Sequence, residues 1–211
     1  IVSWDANLKT SLSRNSEIEI EPTAKTTSLY RPFFLQSLYF SASVNQRRYR
    51  LPSMFPTPEH TNIGFVLTGA ASHYAFGLIA TDLLPNLHTL DTGQFFPRFT
   101  WELVDAPEGE LNLGQGRAAR KPEHSRYGEI GEVVDGYLRV DNVTDEIKDL
   151  YREALGEDVS GDDIFHYVYG QFHDPEYRET YEADLKKMLP HIEIPTDRKR
   201  FDRVAAVGEA L

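Results

Sequence analysis

At 211 residues, 40% hydrophobic and 12% aromatic, the chain is too apolar to stay disordered and long enough to bury one large core or two small ones. It contains no cysteine, which excludes a disulfide framework and thiolate metal sites and fits a cytoplasmic setting. The formal net charge is −11, yet residues 1–104 carry 8 basic and 8 acidic groups, so the whole excess of acid lies in residues 105–211.

Trp4, Leu8 and Leu12 recur at fourfold spacing behind Ser3 or Asp5 and predict a short opening helix. Glu17-Ile18-Glu19-Ile20-Glu21 alternates polar and apolar, the pattern of a strand with one buried face. From Leu29 to Phe40 aromatics mix with Pro32, which predicts irregular structure followed by a strand. Residues 63–81 lack any formally charged side chain, but Gly64, Gly69, Ser72, His73 and Gly77 interrupt the run. Two buried strands, Asn62 to Thr68 and Gly77 to Thr81, are therefore expected rather than a membrane helix. A further strand is expected over Phe95 to Glu102. Residues 105–136, rich in Gly and charge with Pro107 and Pro122, read as a long surface loop or insertion, with a hairpin near Tyr137 to Val140.

The second half carries helical periodicity. Val143, Ile147, Leu150 and Tyr151 form an apolar stripe that stops at Gly156. Ser160 and Asp163 have capping-box spacing ahead of Ile164, Phe165, Val168 and Phe172. Asp174 with Pro175 opens a helix whose inner face is Tyr177, Tyr181, Leu185 and Met188, ended by Pro190. A last helix from Asp197 presents Phe201, Val204, Ala205 and Gly208. The expected fold class is α+β: a strand-rich mixed N-terminal half over 1–104, a variable loop and hairpin over 105–141, and a small C-terminal helical bundle over 142–211.

The run from Ser160, Ser-Gly-Asp-Asp-Ile-Phe-His-Tyr-Val-Tyr-Gly-Gln-Phe-His-Asp-Pro-Glu-Tyr-Arg-Glu-Thr-Tyr, continuing through Leu185 to Pro190, closely resembles the C-terminal signature of single-chain type ISP restriction-modification enzymes. Tyr30-Arg31-Pro32-Phe33, Leu38-Tyr39-Phe40, Arg48-Tyr49 and Pro52 to Pro56 are similar to the same family in the same order. So are Thr81 to His88 and Gln94 to Pro97. The resemblance implies a C-terminal target-recognition, or specificity, domain that helps a neighbouring adenine methyltransferase clamp duplex DNA so that the target adenine can be everted. It implies double-stranded DNA as partner, and contact with methyltransferase and helicase domains upstream in the polypeptide. S-adenosylmethionine, ATP and magnesium would serve those upstream parts, with no cofactor in this piece. The first residue is Ile1 rather than Met, which reads as an excised part of a longer protein.

The residues carry little catalytic chemistry. No Asn/Asp-Pro-Pro-aromatic segment is present to hold an everted base, and Gly116-Arg117 lacks the rest of a phosphate-binding loop. Glu146-Ile147-Lys148 has the letters of a nuclease Glu-x-Lys, but its helical context makes it a solvated pair. His166 and His173 read as packing histidines with no third ligand nearby. Asp82, His88 and Asp91 have no nucleophile among them. No catalytic or metal-binding residue is expected.

Recognition chemistry remains. Asn45-Gln46-Arg47-Arg48-Tyr49-Arg50 concentrates guanidinium and amide groups, which pair bidentately with guanine and adenine in the major groove. Asn45, Gln46, Arg47, Arg48 and Arg50 are the leading DNA-contact candidates, a solvated basic face being the alternative. His73 and Tyr74 at a predicted turn, and Gln94, rank below them. Arg31 reads as a fold-organising ion pair. The rival function is an acidic helical protein-interaction module without direct DNA contact.

Overall fold

Three three-stranded sheets and six α-helices, mixed α+β with the helices mainly in the C-terminal half, make up the described residues 6–45, 48–70, 72–86, 88–104 and 130–211 of a computed structural model. Helix α1 (Ala6–Ser13) buries Leu8. In the first sheet β1 (Lys25–Arg31) pairs antiparallel with β2 (Phe34–Tyr39) and parallel with the two-residue β5 (Leu84–Pro85). The predicted irregular stretch from Leu29 is thus a hairpin. Pro32 occupies its two-residue turn, where a missing N–H breaks no ladder bond.

The second sheet sets β3 (Gly64–Leu67) between β4 (Leu78–Thr81) and β6 (Gln94–Pro97), all antiparallel, which bears out the two strands expected either side of Gly69. The third sheet has the order β7 (Phe99–Leu103), β9 (Tyr137–Asp141), β8 (Ile130–Val134). Asp135 and Gly136 join β8 to β9 with φ of 45° and 78°, the positive pair a type I′ hairpin requires. Of the loop expected over 105–136, residues 105–129 lie outside the described residues, and its last part is strand β8 and the turn to β9 rather than loop.

Two strand expectations fail. Residues 17–21 form no strand: Ile20 is 82% exposed, and the Glu21 N–H donates to the Tyr39 hydroxyl at 2.6 Å instead of to a ladder. Two apolar residues were too few to fix a buried face. The single strand expected over Phe95 to Glu102 divides at Arg98, and its halves β6 and β7 enter different sheets.

Arg98 explains that division. Its side chain, 5% exposed, forks onto both Asp141 carboxylate oxygens, Nη2 at 3.2 Å, and its Nε donates to Asp162 at 2.6 Å. Asp141 also accepts the Val143 N–H at 2.7 Å. The Lys148 ammonium, 0% exposed, stands 3.5 Å from Asp141 and 3.0 Å from Asp145. A buried charge is tolerated only when paired and hydrogen-bonded, so this cluster fixes the β6–β7 joint, the end of β9 and two helices to one another.

Helix α2 (Asp145–Leu155) is capped by the Thr144 hydroxyl. Its buried face is Lys148, Tyr151 and Leu155, while Ile147 and Leu150 of the predicted stripe stay exposed. The carboxylates that draw Lys148 inward turn the helix away from its apolar stripe. Helix α3 (Gly161–His173) has the expected capping box, with Ser160 and Asp163 bonding each other's backbone N–H. The helix opened by Asp174 and Pro175 ends early: α4 (Pro175–Thr180) and α5 (Glu182–Leu185) are separated by Tyr181, and only Tyr177 and Leu185 are buried. Helix α6 (Arg198–Ala210) is capped by Asp197.

Two apolar clusters hold these elements. Tyr151, Leu155, Val159, Ile164, Tyr167, Phe201 and Ala205 join α2, α3 and α6. Phe65 and Leu67 of β3 meet Tyr169, Phe172, Tyr177 and Leu185, with the Phe65 ring 5.3 Å from Phe165 and 5.6 Å from Tyr169. The other face of α3 therefore packs on the second sheet. The Ala80 N–H on edge strand β4 donates to the Tyr169 hydroxyl at 3.1 Å, so the helix also covers that edge. On the third sheet, His60 is enclosed edge-on between Trp101 and Tyr137 and bonds the Val134 carbonyl at 3.0 Å.

Arg198 grips Asp158 with two bonds of 2.7 and 2.8 Å, and these bonds first, helped by a backbone bond, hold the Asp158 carboxyl at about 2. A carboxyl depressed on folding contributes stability above its unfolded value, near 4, and loses it as pH falls towards the folded one. Asp158→Asn is therefore expected to lower the melting temperature slightly at pH 6. The gap to the parent chain should close between pH 4 and 2, read by thermal unfolding across that range.

Candidate nucleic-acid interface

The structure distributes the recognition candidates over two parts of the strand-rich half. Strand β2 runs away from the hairpin turn, so residues 40–45 follow at the hairpin's opposite end. There the Asn45 amide donates to the Tyr39 carbonyl and to the Ser41 carbonyl at 3.4 Å, which commits it to the backbone. The Arg48 guanidinium lies over the Phe40 ring at 5.2 Å and is half-buried. Burial pushes its pKa down, opposed by Glu21. Asn45 and Arg48 thus brace this segment. Arg50 is exposed beside Tyr49, itself exposed with φ of 49°. Gln46 and Arg47 lie outside the described residues.

His73, Tyr74 and Gln94 come together at one end of the second sheet. The Asp91 carboxylate accepts the Ser72 hydroxyl at 2.9 Å and the His73 N–H at 3.1 Å, and the Gly69 N–H donates to the Asp91 carbonyl at 3.2 Å. The Ser72 bond first, then the His73 N–H, holds the Asp91 carboxyl below the usual range. Asp91 is therefore the brace of the β3–β4 turn and keeps His73 and Tyr74 at the surface. Gln94 opens β6 opposite Leu67 and is exposed. The Ser72 hydroxyl bonds this carboxylate directly, with no histidine relay, so the Asp82, His88 and Asp91 group is not a hydrolytic centre.

Sequence reasoning placed a turn at Tyr-Arg-Pro-Phe but missed what that turn exposes. Strand β5 runs parallel to β1, so the loop after Pro85 heads towards that turn, and both the Asn86 N–H and the Thr89 hydroxyl donate to the Leu29 carbonyl, at 3.0 and 2.8 Å. Asn86, Thr89 and Asp91 thereby link the hairpin to the turn holding His73 and Tyr74. At the tip, Arg31 pairs with Phe34 across Pro32-Phe33. Phe33 is 93% exposed with φ of 62°, and Phe34 and Leu35 are exposed beside it. A bulky residue in the left-handed region costs on the order of 1–2 kcal/mol that glycine would avoid. Arg31 does not make the expected ion pair among the described residues: its guanidinium lies 5.4 Å from the Tyr30 ring centre, whose edge meets Phe34 at 6.0 Å. The neighbouring sequence offers no local partner, since residues 22–58 contain five basic side chains and no acidic one. That imbalance was legible in the sequence, a local excess of positive charge in a chain of net −11.

The other chemical candidates resolve as structural groups. Lys148 is not solvated but locked between two aspartates, with Glu146 exposed on another face of the helix. The His173 ring packs edge-on against Tyr169 at 4.8 Å, and burial first, then Arg178, lowers its pKa. His166 packs against Phe165. Among the described residues no group of three His, Cys, Asp or Glu side chains could hold a metal ion, and no helix is long and apolar enough to cross a membrane.

Three solved structures share this architecture. A DrdV–DNA complex superposes with a TM-score of 0.72 at 28% identity, covering 98% of this chain and 18% of that one. The ATP-dependent Type ISP restriction-modification enzyme LlaBIII bound to DNA gives 0.74 at 20% identity, covering 99% of this chain and 12% of that one. A nuclease-deletion mutant of the Type ISP enzyme LlaGI with a DNA substrate mimic gives 0.67 at 24% identity, over 98% and 15%. This chain therefore spans less than a fifth of each of those chains. No curated protein matches it. Residues 1–211 match the family described as the Type ISP C-terminal specificity domain, and the chain belongs to that family.

Proposed function

We propose that this chain selects the duplex DNA sequence on which a type ISP restriction-modification polypeptide acts, presenting the target adenine to a methyltransferase elsewhere in that polypeptide. The single observation that carries this reading is the charge segregation within a specificity-domain family member. The longest acid-free stretch of the strand-rich half, residues 22–58, holds five of its eight basic groups. Phosphate contacts by Arg and Lys supply affinity, and base-edge contacts supply sequence. Arg47 and Arg50 are assigned to the first role, with Gln46, His73, Tyr74 and Gln94 at base edges. S-adenosylmethionine, ATP and magnesium serve the methyltransferase, helicase and nuclease parts, and this chain works without a cofactor. The rival, an acidic helical docking module, has less surface to work with, because α3 already packs on α6 and on the second sheet.

The test is selection of duplexes from a randomised pool by the full-length polypeptide. Convergence on one sequence is expected. Arg47→Ala combined with Arg50→Ala should weaken binding to that sequence and reduce the slope of log affinity against log salt by about 0.9 for each phosphate that is no longer neutralised. Selection that never converges overturns the function. A double variant with unchanged affinity and preference overturns the assignment of this surface.

A further inference from the structure

We infer that the β1–β2 turn is a wedge: Phe33 enters the bound duplex and unstacks one base step, with Arg31 against the flanking phosphate. This rests on the DNA reading above and adds to it a residue that deforms the duplex. Three observations converge on it. Phe33 is a large apolar ring almost wholly in solvent at the apex of a two-residue turn. It occupies a left-handed conformation that a glycine would adopt more easily, so the turn holds a ring where folding alone favours none. The surrounding chain, residues 22–58, is acid-free, and Arg31 sits at the tip without a carboxylate partner among the described residues.

The occupant follows from shape and charge. A stable protein interface buries roughly 800 Å² on each partner, and the tip offers only Phe33 with the adjoining Phe34 and Leu35. A narrow ring flanked by a guanidinium matches instead the gap between two base pairs and the phosphate beside it, as apolar wedges do in proteins that kink DNA. The Tyr30 ring supports this geometry from behind, touching Phe34 by its edge and Arg31 near its face. The hairpin is also tied to the turn bearing His73 and Tyr74, since Asn86 and Thr89 bond the hairpin and Asp91 bonds that turn.

The experiment uses the full-length polypeptide and the duplex obtained by selection, with 2-aminopurine placed at each position in turn. Binding should raise fluorescence at one step beyond the everted adenine. Phe33→Ala should abolish that rise and weaken binding at least about tenfold, the worth of one base stacked on a ring, while Phe33→Trp retains both. Phe33→Gly keeps the fold secure because the turn relaxes, and it should melt no lower than the parent while losing the same signal. Selection that converges, followed by Phe33→Ala and Phe33→Gly with unaltered fluorescence and affinity, overturns the wedge and leaves the function standing. Loss of thermal stability in the DNA-free polypeptide on Phe33→Gly also overturns it, since the ring would then be packing on protein.

Discussion

Asp141→Ala is expected to destabilise the chain by about 3 to 5 kcal/mol, the cost of breaking a buried ion network by removing one member. Asp141 touches both buried cations and the Val143 N–H, so its loss removes a buried counter-charge from Arg98 and Lys148 at once. Arg98 retains Asp162, and Lys148 retains Asp145, but both carboxylates are largely exposed, so solvent screens these direct pairs. Lys148→Met removes a charge without stranding one, because Arg98 still forks onto Asp141, and it should cost less than half as much. Urea unfolding measures both. Equal losses would show that the cluster has no centre at Asp141.

Gly208→Ala should lower stability by about 3 kcal/mol, opposite in sign to the roughly 1 kcal/mol that alanine gains over glycine in an exposed helix. A Cβ at Gly208 would stand 1.9 Å from the His166 carbonyl oxygen, and one at Gly170 would stand 2.3 Å from that of Val204. Helices α3 and α6 thus cross backbone against backbone. A methyl at the crossing must part them and open the cluster of Tyr167, Phe201 and Ala205. Thermal unfolding of Gly208→Ala and Gly170→Ala tests this, and a raised melting temperature in either would contradict the close crossing.

What the sequence disclosed follows from the range of the interactions involved. The caps at Ser160, Asp174 and Asp197 are bonds between residues two or three apart, and each forms as its spacing predicts. The strands on either side of Gly69 were visible because breakers and β-formers are also local. Lys148 was misread as solvated because its partner Asp141 is seven residues away on a strand, and that strand is held by Arg98, 43 residues earlier. No periodicity contains that pairing. The division of β6 from β7 has the same cause, since only the folded cluster gives a buried arginine a reason to interrupt an apolar run. The basic segment after β2 was legible as composition, but not its division of labour: Asn45 and Arg48 serve the backbone and the Phe40 ring. The exposure at the hairpin tip was overlooked because aromatic neighbours make Arg31 in Tyr-Arg-Pro-Phe read as a fold-organising ion pair until the turn is seen to place Phe33 outside.

Among the described residues, neither apolar cluster includes Arg31, Phe33, His73, Tyr74 or His88, although Phe76 at the end of the same turn packs against the second cluster. Exchanging those five side chains therefore leaves the packing of the helices and the second sheet untouched, provided Phe76 stays in place and Asp91 and Leu29 keep their bonds. The architecture separates what is inspected from what keeps the molecule folded. New preferences could accumulate at the rim through successive single replacements, each nearly neutral for folding.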